Sequence, residues 1–117
     1  MFVIFGWMLE KHLKNIEYPT QEQREKELWD ISGNLKGRNQ VFKFDTRPLQ
    51  RLSDLVAKKM TTRSKADKVV FESDKHIIVV DAEELHTYVK ANRISKIHIQ
   101  EILDKLDWNI ILNKNDV

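Results

Sequence analysis

The chain reads as an α+β domain, a small mixed β-sheet with helices packed on one face. Three observations predict this class. Short runs of branched and aromatic residues have strand character, the segments between them carry apolar residues at helical spacing, and the two kinds follow one another in the order, roughly, β-α-α-β-α-β-β-α-α-β. That order is neither the strict alternation of a doubly wound fold nor an all-helical bundle. With 117 residues, 41% of them hydrophobic, residues 1–117 suit a single domain with a real core.

The first strand is expected at residues 2–5, ended by Gly6, and a helix at about 8–16, where Leu9, Leu13 and Ile16 are spaced for one face. One continuous helix from residue 2 fits the same periodicity. Tyr18 and Pro19 break this element. Thr20 with Gln23 forms a capping-box pattern that opens a helix of about 21–31, whose first turns are polar and lie at the surface. Ser32, Gly33, Asn34 and Gly37 supply turn chemistry before a strand at 40–45. Asp45 or Thr46 then caps a helix of about 47–60, with Pro48 in its first turn and Leu49, Leu52, Leu55, Val56 and Met60 inward. Residues 61–67 form a polar, basic connection. Strands at 69–71 and 77–80 make a hairpin through Glu72–Lys75. Asp81 with Glu84 starts a helix of 82–92, Ser95 caps a helix of 96–106, a strand covers 108–112, and the remaining residues fray.

Charge is the clearest functional clue. Residues 36–68 hold ten Lys or Arg against three Asp, a net charge of +7, whereas the 35 residues before them sum to −2 and the 49 after them to −3. On a 47–60 helix, Arg47, Arg51, Asp54 and Lys58 would fall within a stripe about 60° wide on the side opposite the Leu and Val residues. Arg38, Lys43, Arg63 and Lys65 flank it, and with the hydroxyls of residues 61–64 they suit phosphate oxygens. The bland reading stands beside this one. Asp54 is spaced for ordinary ion pairs with Arg51 and Lys58, Lys58 and Lys59 suit a helix C-terminus, and the acidic arms can fold over the basic centre. Phe42 and Phe44 invite base stacking beside Lys43, but two rings on one strand face also describe a core.

Other chemistry is weakly signalled. The chain has no Cys, which removes disulfides, thiolate metal sites and cysteine nucleophiles and suits a reducing, cytoplasmic setting. Glu83 and His86 form one Glu-x-x-His unit with no second copy, and His12, His76 and His98 are scattered, so neither a metal nor a cofactor is expected. Asp67, Glu72, Asp74, Asp81, Glu83 and Glu84 bring a metal-dependent nuclease to mind, yet turn, cap and first-turn positions explain them. The opening MFVIFGWML falls well short of the roughly 20 residues a membrane span requires and lacks the features of a signal peptide. Of Trp7, Trp29 and Trp108, Trp29 is the one expected to be partly exposed, where it would anchor a protein partner.

These readings converge on a small non-enzymatic accessory protein that binds nucleic acid or a nucleoprotein complex through Arg38, Lys43, Arg47, Arg51, Lys58, Arg63 and Lys65. The alternative is a protein-interaction module, of the inhibitor, immunity or adaptor type, that docks the same basic face on an acidic partner. Metal-dependent nuclease is the third reading. Richness in Lys, Asn and Ile points to a bacterial or mobile-element gene. The oligomeric state is open, although the last strand can pair across a dimer.

Overall fold

The computed structural model describes residues 7–49, 55–56, 65–93 and 97–113. In chain order these form α1 (Trp7–Glu10), β1 (Leu13–Glu17), α2 (Gln21–Glu27), β2 (Ile31–Leu35), β3 (Val41–Pro48), β4 (Leu55–Val56), β5 (Lys68–Glu72), β6 (His76–Asp81), α3 (Ala82–Ala91), β7 (Ile97–His98), α4 (Ile99–Lys105) and β8 (Asn109–Asn113). Six strands form one mixed sheet in the order β1-β2-β3-β5-β6-β8, and β4 pairs with β7 apart from it. Only β3 and β5 run parallel; the other neighbours are antiparallel. The class is therefore α+β as expected, but the order of elements differs from the expected one. No helix among the described residues is long and apolar enough to cross a membrane.

Alternation along the strands divides the interior in two. Val69, Phe71, Ile78 and Val80 face α3 and α4, where Leu85, Ile99, Ile102 and Leu106 meet them. On the opposite face Phe42, Phe44, Val70, Ile77 and Val79 pack with Leu9, Leu13, Ile31 and Leu35, so the curled sheet encloses a second core plugged by the single turn of α1. Both larger packed helices, α3 and α4, thus share one face, while α2 buries no residue at all.

Local signals hold where the chain solves its own hydrogen bonding. At the start of α2 the Thr20 hydroxyl accepts from the Gln23 amide and the Gln23 side chain accepts from the Thr20 amide, closing the capping box. The helix stops at Leu28, which adopts a left-handed conformation, φ 61°, well before residue 31. The β5–β6 hairpin and the Asp81 cap of α3 are also in place. The final strand covers 109–113.

Four expectations are corrected. Residues 13–17 form a strand, not part of a helix at 8–16. A bulge between Lys14 and Glu17, with Asn15 at φ 55°, resets the alternation, so Leu13 and Ile16 reach the same core although they are three residues apart. Residues 31–35 are a central strand, not a turn. The polar side chains of Ser32 and Asn34 lie on the face opposite Ile31 and Leu35 and are buried with partners: Ser32 donates to the Glu17 carbonyl, and Asn34 bonds Asn15 and the Asn39 carbonyl. A continuous helix over 47–60 is excluded, because Arg47 and Pro48 extend β3 against Phe71 and Glu72, and Leu55 and Val56 form β4. Parallel pairing with the apolar Val69–Phe71 run outweighs the local cap signals at Asp45 and Thr46; the Thr46 amide and hydroxyl instead donate to Asp30. Finally, α4 starts at Ile99 behind β7, with His98 at its N-cap position; Ser95 lies outside the described residues.

Gly33 lies close against the neighbouring strand. A Cβ there would stand 2.9 Å from the Lys14 carbonyl oxygen, at the bulge. Gly33→Ala is therefore expected to destabilise the fold by about 1–3 kcal/mol, the range for overpacking, read as a lowered urea midpoint with an unchanged slope.

Candidate nucleic-acid interface

Because β3 and β5 are parallel neighbours, the chain between them must cross over from one end of the sheet to the other. That crossover, residues 49–67, contains Arg51, Lys58, Lys59, Arg63 and Lys65. It is tied down at three places. Where it leaves β3, the Leu49 amide donates to the Glu72 carbonyl (2.8 Å). In its middle, Leu55 and Val56 pair with His98 and Ile97, just ahead of α4. On its return, the Lys65 amide donates to the Glu27 carbonyl and the Asp67 amide to the Lys43 carbonyl, both at 2.7 Å. The Asp67 carboxylate in turn accepts from the Lys43 amide.

Lys43 and Lys65 are brought together at the foot of this crossover. Lys65 is exposed. Lys43 lies opposite the Phe42 and Phe44 side of β3, with its ammonium 3.5 Å from Glu27 and 5.3 Å from the centre of the Trp29 ring. The Trp29 indole N–H donates to Glu27 (2.9 Å). That hydrogen bond, assisted by Lys43 and Lys65 and opposed by burial, holds the Glu27 carboxyl below its ordinary pKa. Trp29 itself is only 4% exposed, so it is a core anchor under Lys43 and not the partly exposed ring expected.

The other two described candidates, Arg38 and Arg47, stand apart from this pair. Arg38 is exposed in the β2–β3 turn, its guanidinium 5.8 Å from the centre of the Trp108 ring, a ring that packs with the Phe42 side of the sheet. Arg47 turns inward: its side chain is 12% exposed, Nη2 pairs with Asp45 at 2.9 Å, and Nε and Nη1 are buried without an acceptor among the described residues. Arg51, Lys58 and Arg63 lie outside the described residues. Phe42 and Phe44 are buried, with their rings edge to face at 6.2 Å, so they belong to the core and offer no stacking surface. The acidic arms do reach the basic segment, through Glu27 on Lys43 and Asp81 on Lys68.

Lys68 is the charged residue that periodicity missed. It is 6% exposed, its ammonium lies 2.8 Å from Asp81, and it sits 3.6 Å from the Trp108 ring centre and 4.6 Å from that of Phe42. A sequence signal existed: Lys68 and Asp81 occupy mirrored ends of the hairpin and face each other in register. Burial raises the Asp81 pKa, but the Lys68 ammonium and the amides of Glu84 and Glu83 outweigh it and leave the carboxyl below its ordinary value.

The other candidate groups serve structure. Asp81 caps α3 by accepting from the Glu84 amide (3.0 Å), and Glu84 accepts from the amides of Asp107 and Trp108, which fixes the turn into β8. Asp74 is exposed in the hairpin turn. His86 has a lowered pKa, because of burial first and the nearby Arg47 charge second, with Asp45 and Asp81 acting against them. Among the described residues no group of three or more His, Asp or Glu is placed to hold a metal ion. No protein-family model matches the chain, and comparison with curated proteins and with solved structures finds no match either.

Two substitutions separate the halves of the buried pair. Asp81→Asn retains a capping oxygen but strands the Lys68 ammonium in the core, and it is expected to cost about 3–5 kcal/mol. Lys68→Met leaves a carboxylate that still has backbone partners and partial exposure, so its cost is smaller. Since the folded Asp81 pKa is depressed, the pair's stabilisation is complete above the ordinary carboxyl range near pH 4 and declines as the pH falls toward the folded value. Urea midpoints measured from pH 7 down to pH 2 should show a shallower acid decline in Lys68→Met than in the parent; an identical decline would remove the pairing of Asp81 with Lys68 as its source.

Proposed function

We propose that the protein is a small non-enzymatic accessory protein of the cytoplasm that binds nucleic acid, or a nucleoprotein complex, through the basic crossover between β3 and β5. The observation that carries this reading is the anchoring of the crossover at its departure, its middle and its return. A segment of this composition held at three points spends less entropy in meeting a phosphate backbone than a free basic tail would. Lys43 and Lys65 stand together at its foot, and Arg51, Lys58 and Arg63 belong to the same segment by sequence. Arg38 contributes from the β2–β3 turn as a separate contact. Arg47 leaves the contacting set and acts as a buried partner of Asp45.

Contacts of this kind position a phosphate backbone without reading bases, so affinity should depend on salt far more than on sequence. Binding to a short DNA duplex and to single-stranded RNA, measured across a salt series, is expected to give a linear fall of log affinity with log salt. In the combined Arg51→Gln, Lys58→Gln, Arg63→Gln and Lys65→Gln variant the slope should shrink by about 0.9 per lost phosphate contact on duplex DNA and about 0.7 on single strands. Absence of binding to either nucleic acid at low salt would end this reading. Docking of the same basic segment on an acidic protein would take its place if a captured acidic partner were lost in the four-site variant.

A further inference from the structure

The two edges of the six-stranded sheet are unlike each other. At β1 the bulge, the left-handed Asn15 and the exposed charges of Lys14 and Glu17 interrupt any strand that approached. Natural sheets blunt their edges with such devices, because an open edge is a template for another chain. The β8 edge has none of them. Its residues, Asn-Ile-Ile-Leu-Asn, are uncharged and free of Gly and Pro, and all five pair with β6 without a bulge. Ile110 and Leu112 pack toward the second core, whereas Ile111 is 49% exposed.

We infer that β8 pairs antiparallel with β8 of a second copy, about a two-fold axis through Ile111, so that two six-stranded sheets join into one. The strand is self-complementary in this register and no other of the same parity. Asn109 meets the partner's Asn113, Ile110 meets the partner's Leu112, and Ile111 meets the partner's Ile111. A slip of two residues sets Ile111 against an Asn, and a slip of one puts the helix layers of the two copies on opposite faces of the joined sheet. Ile111 is opposite Ile78, whose side chain faces α3 and α4, so the paired Ile111 side chains would be covered between two helix layers. Such an isologous contact closes on itself and builds no fibre. It is independent of the nucleic-acid reading.

Sedimentation across a concentration series should give the mass of two chains for the parent protein and of one chain for Ile111→Lys. Matching far-UV circular-dichroism spectra and a cooperative thermal melt of Ile111→Lys would show that the exposed substitution leaves the fold intact, with its midpoint below the parent's because dimerisation no longer stabilises it. A second arm does not depend on that variant folding alone. The chain has no Cys, so Ile111→Cys introduces one thiol beside its own copy on the axis. Under mild oxidation it should form a disulfide-linked dimer much faster than Tyr18→Cys, an exposed position on the other side of the chain order. A monomeric parent at the highest concentration, a dimer that persists in Ile111→Lys, or equal cross-linking of the two thiol variants would each overturn the inference.

Discussion

The Lys68 ammonium lies within a carboxylate and two aromatic rings that come from separate parts of the chain: Asp81 at the end of β6, Phe42 on β3 and Trp108 before β8. A charge so nearly enclosed is tolerable only if its partners are all in position, since the cost of an unpaired buried ion exceeds that of most other defects. Asp81 is simultaneously committed to the first turn of α3. The pair therefore joins two matters that are usually separate, the register of the sheet and the point at which a helix starts. A one-residue slip between β5 and β6 would turn Lys68 toward the apolar helix layer and leave Asp81 without its cation.

Around that pair the sheet separates two cores of different construction. One is conventional, with α3 and α4 laid over Val69, Phe71, Ile78 and Val80. The other is made by the curl of the sheet itself, closed by Leu9 and bordered by Trp108, Ile110 and Leu112. The basic crossover meets the first core where it begins. Leu49 packs against the first core as it departs, and the Lys43–Glu27–Trp29 group receives it on return. Its charge is thus carried by a connection required by topology, held at its ends by hydrogen bonds that do not involve its basic side chains.

Sequence reading succeeded where neighbouring residues decide the outcome. Thr20 with Gln23, Asp81 with Glu84 and the Lys68–Glu72 and His76–Asp81 runs each form a local unit, and each appeared where its chemistry required. It failed where a distant partner decides. Leu13 and Ile16 mimic helical spacing because a bulge hides the strand period, and Ser32-Gly33-Asn34 mimics a turn because a buried strand next to that bulge needs a small residue and bonded polar ones. The β3 extension to Pro48 depends on a strand more than twenty residues further on. For the candidate interface, the net charge of residues 36–68 was plain in the sequence, but its distribution was not. Arg47 reads as part of a solvent stripe only on a helix, and in a strand it turns inward to Asp45.

The single parallel pair also shapes how the chain reaches this structure. The β5–β6 hairpin closes a turn of a few residues, whereas β3 meets β5 only after the intervening crossover has been brought round, with its larger closure entropy. Long-range parallel pairing of this kind slows folding relative to local contacts. The hairpin that holds Lys68 and Asp81 is therefore suited to form early, before the Phe42 ring arrives with β3 to enclose the ammonium. Pairing β3 with β5 and bringing the two ends of the basic segment into place are one event.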